Sequence, residues 1–157
     1  VLAAKSASDA IDRLKSARSE VSESAQLTLA SFFHALELRI HQASPEFEVL
    51  LSRMSDLPIS SQIADSLTEA TLQAVDNSLK HAGQASERIV RLRGEKSGLK
   101  IVVSDNGKGF RPSQVSKDRI GISSSIVARA RNVGARVFIN SSPGSGTNVV
   151  IEWGPHD

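Results

Sequence analysis

Cysteine is absent from this 157-residue chain, tyrosine is absent too, and methionine and tryptophan occur once each. Without cysteine there is no disulfide framework, no thiolate metal site and no thiol nucleophile. Aromatic residues make up only 4%, too few for the stacking platforms that hold single-stranded nucleic acid, so no nucleic-acid partner is expected. Charge of one sign is lacking as well. Lys and Arg number 19 against 17 Asp and Glu, for a net charge of +2, too small to argue by itself for nucleic acid or an anionic membrane. The histidines at 34, 41, 81 and 156 show no metal-ligand spacing of the His-Glu-x-x-His kind. No apolar run approaches the roughly 18 residues of a membrane span, and no signal peptide is visible. The chain opens on Val1 rather than Met, so it is expected to be a piece of a longer parent, and the lack of a span describes this piece alone.

What is present is the composition of an ordinary soluble globule, 39% hydrophobic and 23% charged. The length predicts one domain, long enough to bury roughly 68–70% of its unfolded surface without staples. Residues 5–23 read as a helix whose apolar stripe, Ile11, Leu14 and Val21, is interrupted by Arg18. Such a thin stripe suits a helix-pairing seam better than a globular core face. A second helical pattern covers 26–42 through Leu29, Phe32, Phe33, Leu36 and Ile40, and Pro45 stops it. Phe47, Val49 and Leu51 alternate with Glu48 and Leu50, predicting a short strand partly buried on both faces. Pro58 and Ser60-Ser61 open a long helix that runs to about Ala82 and ends at Gly83. Strands follow at Ile89–Arg93 and Leu99–Ser104, then a glycine-rich loop, a helix over 122–133, and strands at Arg136–Asn140 and Asn148–Trp153. Paired strands with helices to cover one face predict an α+β fold, a two-layer α/β sandwich.

Four segments can carry chemistry. Glu69, Gln73, Asn77 and Lys80 recur on one side of the long helix, with His81 beside them. Amides in the middle of a wet face are unusual, and an amide oxygen is a suitable hard ligand for Mg²⁺. Ser104-Asp105-Asn106-Gly107-Lys108-Gly109-Phe110 stands at a strand end, where a carboxylate can accept from an exocyclic amine. Arg119-Ile120-Gly121-Ile122-Ser123-Ser124-Ser125 opens a helix, and free N–H groups at a helix start attract anions. Gly144-Ser145-Gly146-Thr147 joins the last two strands. Each alone reads as a helix face, a turn or a cap. Their order and spacing change that reading.

Gln73 to Gly83 resembles the N box of histidine-kinase ATP-binding domains, Asp105 to Phe110 their first glycine box, Arg119 to Ile122 the second, and Gly144 to Thr147 the last. The set is similar to the gyrase, heat-shock-chaperone, histidine-kinase and mismatch-repair (GHKL) ATPase superfamily, whose ATP-binding fold is the Bergerat fold. It covers roughly residues 46–154. The Gly-Ile-Ser-Ser-Ser-Ile run and the Trp153 ending look most like sensor-kinase-like proteins of actinobacteria. The resemblance implies ATP and Mg²⁺ as cofactors. It implies that Asn77 holds the Mg²⁺, that Asp105 binds the adenine amine with Thr147 supporting it through water, and that Gly107 and Gly109 let the loop pass close to the base. Lys80, with His81 beside it, would face the phosphates. Gly121, Ile122 and the amides from Ser123 onward would cap the phosphate chain, and Phe110–Ile120 would be a short ATP lid, with Arg119 inside it.

Three departures qualify the match. Where the family often has Glu, four residues before the Mg²⁺ asparagine, stands Gln73, an amide that cannot act as a general base at neutral pH. Ser123 stands where the second glycine box usually has its second Gly. His34 lies too close to Asn77 to leave room for a complete helical hairpin, so the phosphoacceptor histidine is expected outside this chain. On this reading residues 1–44 are the tail of a dimerisation or linker region and 45–157 the ATP-binding catalytic domain. The parent would be a two-component sensor histidine kinase. It would phosphorylate a histidine domain, serve a response regulator and pair as a homodimer through upstream helices, with this domain in the cytoplasm of a cell whose membrane can anchor the parent. The alternatives are a non-catalytic ATP-sensing interaction module and a serine kinase of the anti-sigma-factor type.

Overall fold

The computed structural model describes residues 8–15, 25–111 and 125–155. Residues 8–15 are helical (α1); the remainder of the helix expected over 5–23 lies outside the described residues. The other elements are β1 (Gln26–Thr28), α2 (Leu29–Ala43), β2 (Glu48–Ser52), β3 (Pro58–Ser60), α3 (Ser61–His81), β4 (Arg88–Gly94), β5 (Leu99–Asp105), helical residues 125–131 (α4), β6 (Arg136–Ser141) and β7 (Thr147–Trp153).

Both long helices begin where a hydroxyl side chain replaces a missing backbone acceptor. Thr28 accepts from the Ser31 N–H at 3.1 Å and Ser60 from the Ile63 N–H at 3.2 Å. An N-cap residue needs extended backbone, and here each cap is also the last residue of a strand. β1 pairs antiparallel with β3, Thr28 opposite Pro58 and Gln26 opposite Ser60. This ribbon corrects the expectation that residues 26–28 are helical. Three residues are too few to show alternation, and the partner is distant in sequence. The ribbon also satisfies the start of α2, since the N–H groups of Leu29 and Ala30 donate to the carbonyls of Leu57 and Ser55.

The main sheet has five strands in the order β2-β4-β5-β7-β6. β2 and β4 are parallel, joined by a crossover through β3 and α3, and the remaining pairs are antiparallel. Alternate residues turn inward: Val90 and Leu92, Leu99, Ile101 and Val103, Val149 and Ile151 are all buried. They meet Leu67, Ala70, Ala74 and Val75 of α3 and Ile126 and Ala130 of α4. β2 differs from expectation on one point. Val49 and Leu51 pack against the core, while the opposite side carrying Leu50 is open, with Leu50 42% exposed. Packing does not pause at residue 44. Leu29, Phe32, Phe33, Leu36 and Ile40 of α2 are at most 2% exposed and share the core of α3 and the sheet. Among the described residues no helix is long and apolar enough to cross a membrane.

Candidate functional site

Where the C-terminal turns of α3 pass the ends of β5 and β7, a cavity opens whose floor is Ala74, Val103 and Val149. Its polar wall is Asn77, Ser78, His81, Asp105 and Thr147, with Gly109 and Phe110 at the mouth. Two of these segments, far apart in sequence, are brought together by strand register: Asp105, last residue of β5, lies directly opposite Thr147, first residue of β7.

Asp105 is 9% exposed, and a buried carboxylate is costly unless its oxygens find donors. Ser78 Oγ donates to Oδ2 at 2.7 Å and the Gly107 N–H to Oδ1 at 3.0 Å. These bonds fix the carboxylate while its other lone pairs remain for a ligand. The sequence motifs do not single out Ser78, although the helix carries a signal for it. Leu67, Thr71, Ala74 and Ser78 share one buried stripe of α3, so the hydroxyls stand in phase with apolar neighbours. Thr71 answers its burial locally, donating to the Leu67 carbonyl at 2.7 Å; Ser78 answers it through Asp105.

Thr147 Oγ1 lies 2.8 Å from Ser141 Oγ. The loop between them and α3 is tied down from several sides. Asn106 Oδ1 accepts from the Glu87 N–H at 2.9 Å, the Lys108 N–H donates to the Ala82 carbonyl at 2.9 Å, and the Gly144 N–H donates to the Lys108 carbonyl at 2.7 Å. Glycine is required in this loop by the protein's own backbone. A Cβ on Gly107 would stand 2.4 Å from the Ala82 carbonyl oxygen, and one on Gly109, whose φ is +62°, 2.1 Å from that of Ser142. The missing side chains therefore make room for the end of α3 and for the β6–β7 turn.

Asn77 contributes a different feature. Its Oδ1 is buried and has no hydrogen-bond partner among the described residues, a state that ordinarily costs about 1–3 kcal/mol. An oxygen of that kind fits a hard cation such as Mg²⁺. The same residues include no group of three or more His, Asp or Glu that could hold a metal, so a cation here would share its coordination with waters and ligand oxygens, as Mg²⁺ commonly does.

The other expected site residues lie elsewhere. Lys80 is on the outer side of α3, its Nζ 2.9 Å from Asp76 Oδ2, and it does not line the cavity. Gln73 does not line it either: its Oε1 accepts from Ser125 Oγ at 3.1 Å, at the start of α4. Gly121, Ile122, Ser123 and residues 112–120 of the lid, Arg119 among them, lie outside the described residues.

A cavity with acceptors at the strand ends and an unpartnered amide oxygen along the helix suits a ligand carrying an amine and a chelated cation. The family model of histidine kinase-, DNA gyrase B- and HSP90-like ATPases matches residues 62–156, and the chain belongs to that family. Among particular relatives, the sensor histidine kinase LiaS of Bacillus subtilis is 32% identical over 99 residues, which is 63% of this chain and 27% of that protein. The sensor protein VraS of Staphylococcus epidermidis is 28% identical over 66% of this chain and 29% of its own length. The chain thus spans between a quarter and a third of these relatives. In fold it is similar to the ATP-binding domain of PrrB from Mycobacterium tuberculosis, with a TM-score of 0.62 and 18% identity, covering 85% of this chain and 99% of that one. The α+β sandwich expected from the sequence is the fold observed. The actinobacterial likeness of the Gly-Ile-Ser-Ser-Ser-Ile run is not among the things these relatives show.

Proposed function

We propose that this chain is the ATP-binding catalytic part of a two-component sensor histidine kinase. The observation that carries the proposal is the convergence of Asp105, Thr147 and the unpartnered Asn77 oxygen on one cavity in a chain of this family. Asp105 takes the adenine amine, with Thr147 beside it, and Asn77 holds the Mg²⁺. When bound, the cation neutralises phosphate charge. The backbone of the 105–110 loop and the amides at 121–123 position the nucleotide.

Phosphoryl transfer asks mostly for such positioning and charge neutralisation. The bond from the γ-phosphorus to the bridging oxygen of ADP breaks, and a bond to an imidazole nitrogen forms, on a histidine outside this chain. A neutral imidazole is already nucleophilic, so an amide at Gln73 is compatible with the reaction. His34 is exposed on α2 and has no part in the scheme. Lys80 can serve the phosphates only by leaving Asp76. The parent's phosphoacceptor domain, its response regulator, its homodimer and a cytoplasmic setting belong to the same proposal.

A second reading, ATP sensing without transfer, is favoured by one observation, the engagement of the Gln73 oxygen by Ser125. Calorimetric titration of ATP, with and without Mg²⁺, tests the nucleotide site. One-to-one binding that is lost in Asp105→Asn supports it, and no binding at millimolar ATP refutes it. Transfer of label from ATP to the intact parent separates the two readings.

A further inference from the structure

Ser141, the last residue of β6, lies opposite Thr147 in the antiparallel register with β7. Its hydroxyl oxygen has three neighbours within hydrogen-bond distance. The Phe110 N–H donates to it at 2.9 Å. The Gly146 carbonyl oxygen lies 2.9 Å away and Thr147 Oγ1 2.8 Å away. A carbonyl can only accept, and a serine hydroxyl has one hydrogen and two lone pairs. The Ser141 hydrogen therefore goes to Gly146, and its lone pairs receive Phe110 and Thr147. Thr147 is left as the donor in its contact with Ser141, so its only hydroxyl hydrogen points away from the cavity.

At the Asp105–Thr147 end of the wall, these two side chains then offer acceptors alone. A carboxylate and the lone pairs of Thr147 both call for hydrogens from the ligand. A water held between them would donate to both and present its own lone pairs, which preserves the polarity one step further out.

We infer that Ser141 is a positioning residue for base selectivity: by taking up the Thr147 hydrogen it presents Thr147 as an acceptor, which favours a purine with a 6-amino group over one with a 6-carbonyl. The inference rests on the nucleotide-site reading above and adds to it a residue outside all four motifs. Ser141 also holds the N–H of Phe110, so the base wall and the root of the segment that follows share one oxygen.

The test is the ratio of dissociation constants for ITP, whose base has a 6-carbonyl, and ATP, each titrated with Mg²⁺ into the 157-residue chain. Ser141→Ala frees the Thr147 hydroxyl to turn and donate. The preference for ATP should then shrink about three- to tenfold, the worth of one neutral hydrogen bond, while Ser141→Thr retains it. A purely structural role would weaken both nucleotides together and leave the ratio alone. An unchanged ratio in Ser141→Ala, with ATP still bound, overturns the inference. If that variant does not fold, Thr147→Val tests the same point from the other partner: the ratio shrinks if the lone pairs select the base, and an unchanged ratio rejects the idea. Failure of the unaltered chain to bind ATP would overturn the nucleotide-site reading, and this inference with it.

Discussion

Two amides stand one turn apart on the same side of α3, and their surroundings have little in common. Asn77 lines the cavity, and its oxygen is buried and without a partner among the described residues. Gln73 turns its oxygen away from the cavity to Ser125 on α4, at 3.1 Å. From Ser125 the contacts continue outward, to Arg129 Nε at 3.4 Å and from Arg129 to Glu69 at 3.5 Å. One amide is left unsatisfied where a fold seeking only stability would have placed alanine. The other is absorbed into helix–helix packing. A buried polar atom without a partner calls for an explanation, which a ligand supplies where the residue lines a cavity, while a polar atom already engaged marks a joint between elements.

The sharpest way to break the comparison is Asn77→Ala. Binding of ATP measured with Mg²⁺ should fall about ten- to a hundredfold, the equivalent of the roughly 1–3 kcal/mol at stake in a buried polar group. Folding stability should hold or rise by up to about 1 kcal/mol, because an orphaned oxygen is removed and alanine favours helix. Urea unfolding beside calorimetry reads both quantities. A loss of stability as large as the loss of binding would make Asn77 a structural residue and remove the contrast.

Gln73→Glu acts on the other side. A carboxylate there can still accept from Ser125, more strongly than the amide, and can also polarise an attacking water. Hydrolysis of ATP should rise several-fold, and further when Ser125→Ala releases the carboxylate. An unchanged rate at saturating ATP in the double variant would count against any link between this position and catalysis. Ser125→Ala alone should lower stability by about 0.5–1.5 kcal/mol, the net worth of an ordinary hydrogen bond.

The sequence shows these positions unequally. The stripe of α3 and the alternation of β4, β5 and β7 follow from local periodicity, and their strand and helix limits lie within about two residues of the expected ones. Asn77 and Asp105 were visible because the motifs that contain them are contiguous. Of Ser78 the sequence shows only its phase with the apolar stripe, and of Ser141 nothing, since each matters through a bond to another element: Ser78 to Asp105 between α3 and β5, Ser141 to Thr147 across a hairpin. The β1–β3 ribbon was hidden because its strands are three residues long and end in helix caps. The glycines were visible as glycines, but what they accommodate became clear only when Ala82 and Ser142 stood beside them. Local pattern reveals an element; a side chain whose partner is remote reveals its purpose only in three dimensions.

The smallest effect belongs to the outermost link of the Gln73 joint. Glu69 lies 3.9 Å from Arg39 and 3.5 Å from Arg129, and all three side chains are about half exposed. Water and salt screen charges in that position, and exposed ion pairs contribute between nothing and about 1 kcal/mol. Glu69→Gln should therefore shift the urea midpoint only slightly, with the shift vanishing above roughly 1 M salt, where the Debye length is about 3 Å. ATP affinity should stay as it was, because Asn77 does not touch this chain of contacts. If Glu69→Gln lowered ATP affinity as far as Asn77→Ala does, the joint at Gln73 would be coupled to the cavity, and the two amides would have to be understood as one device.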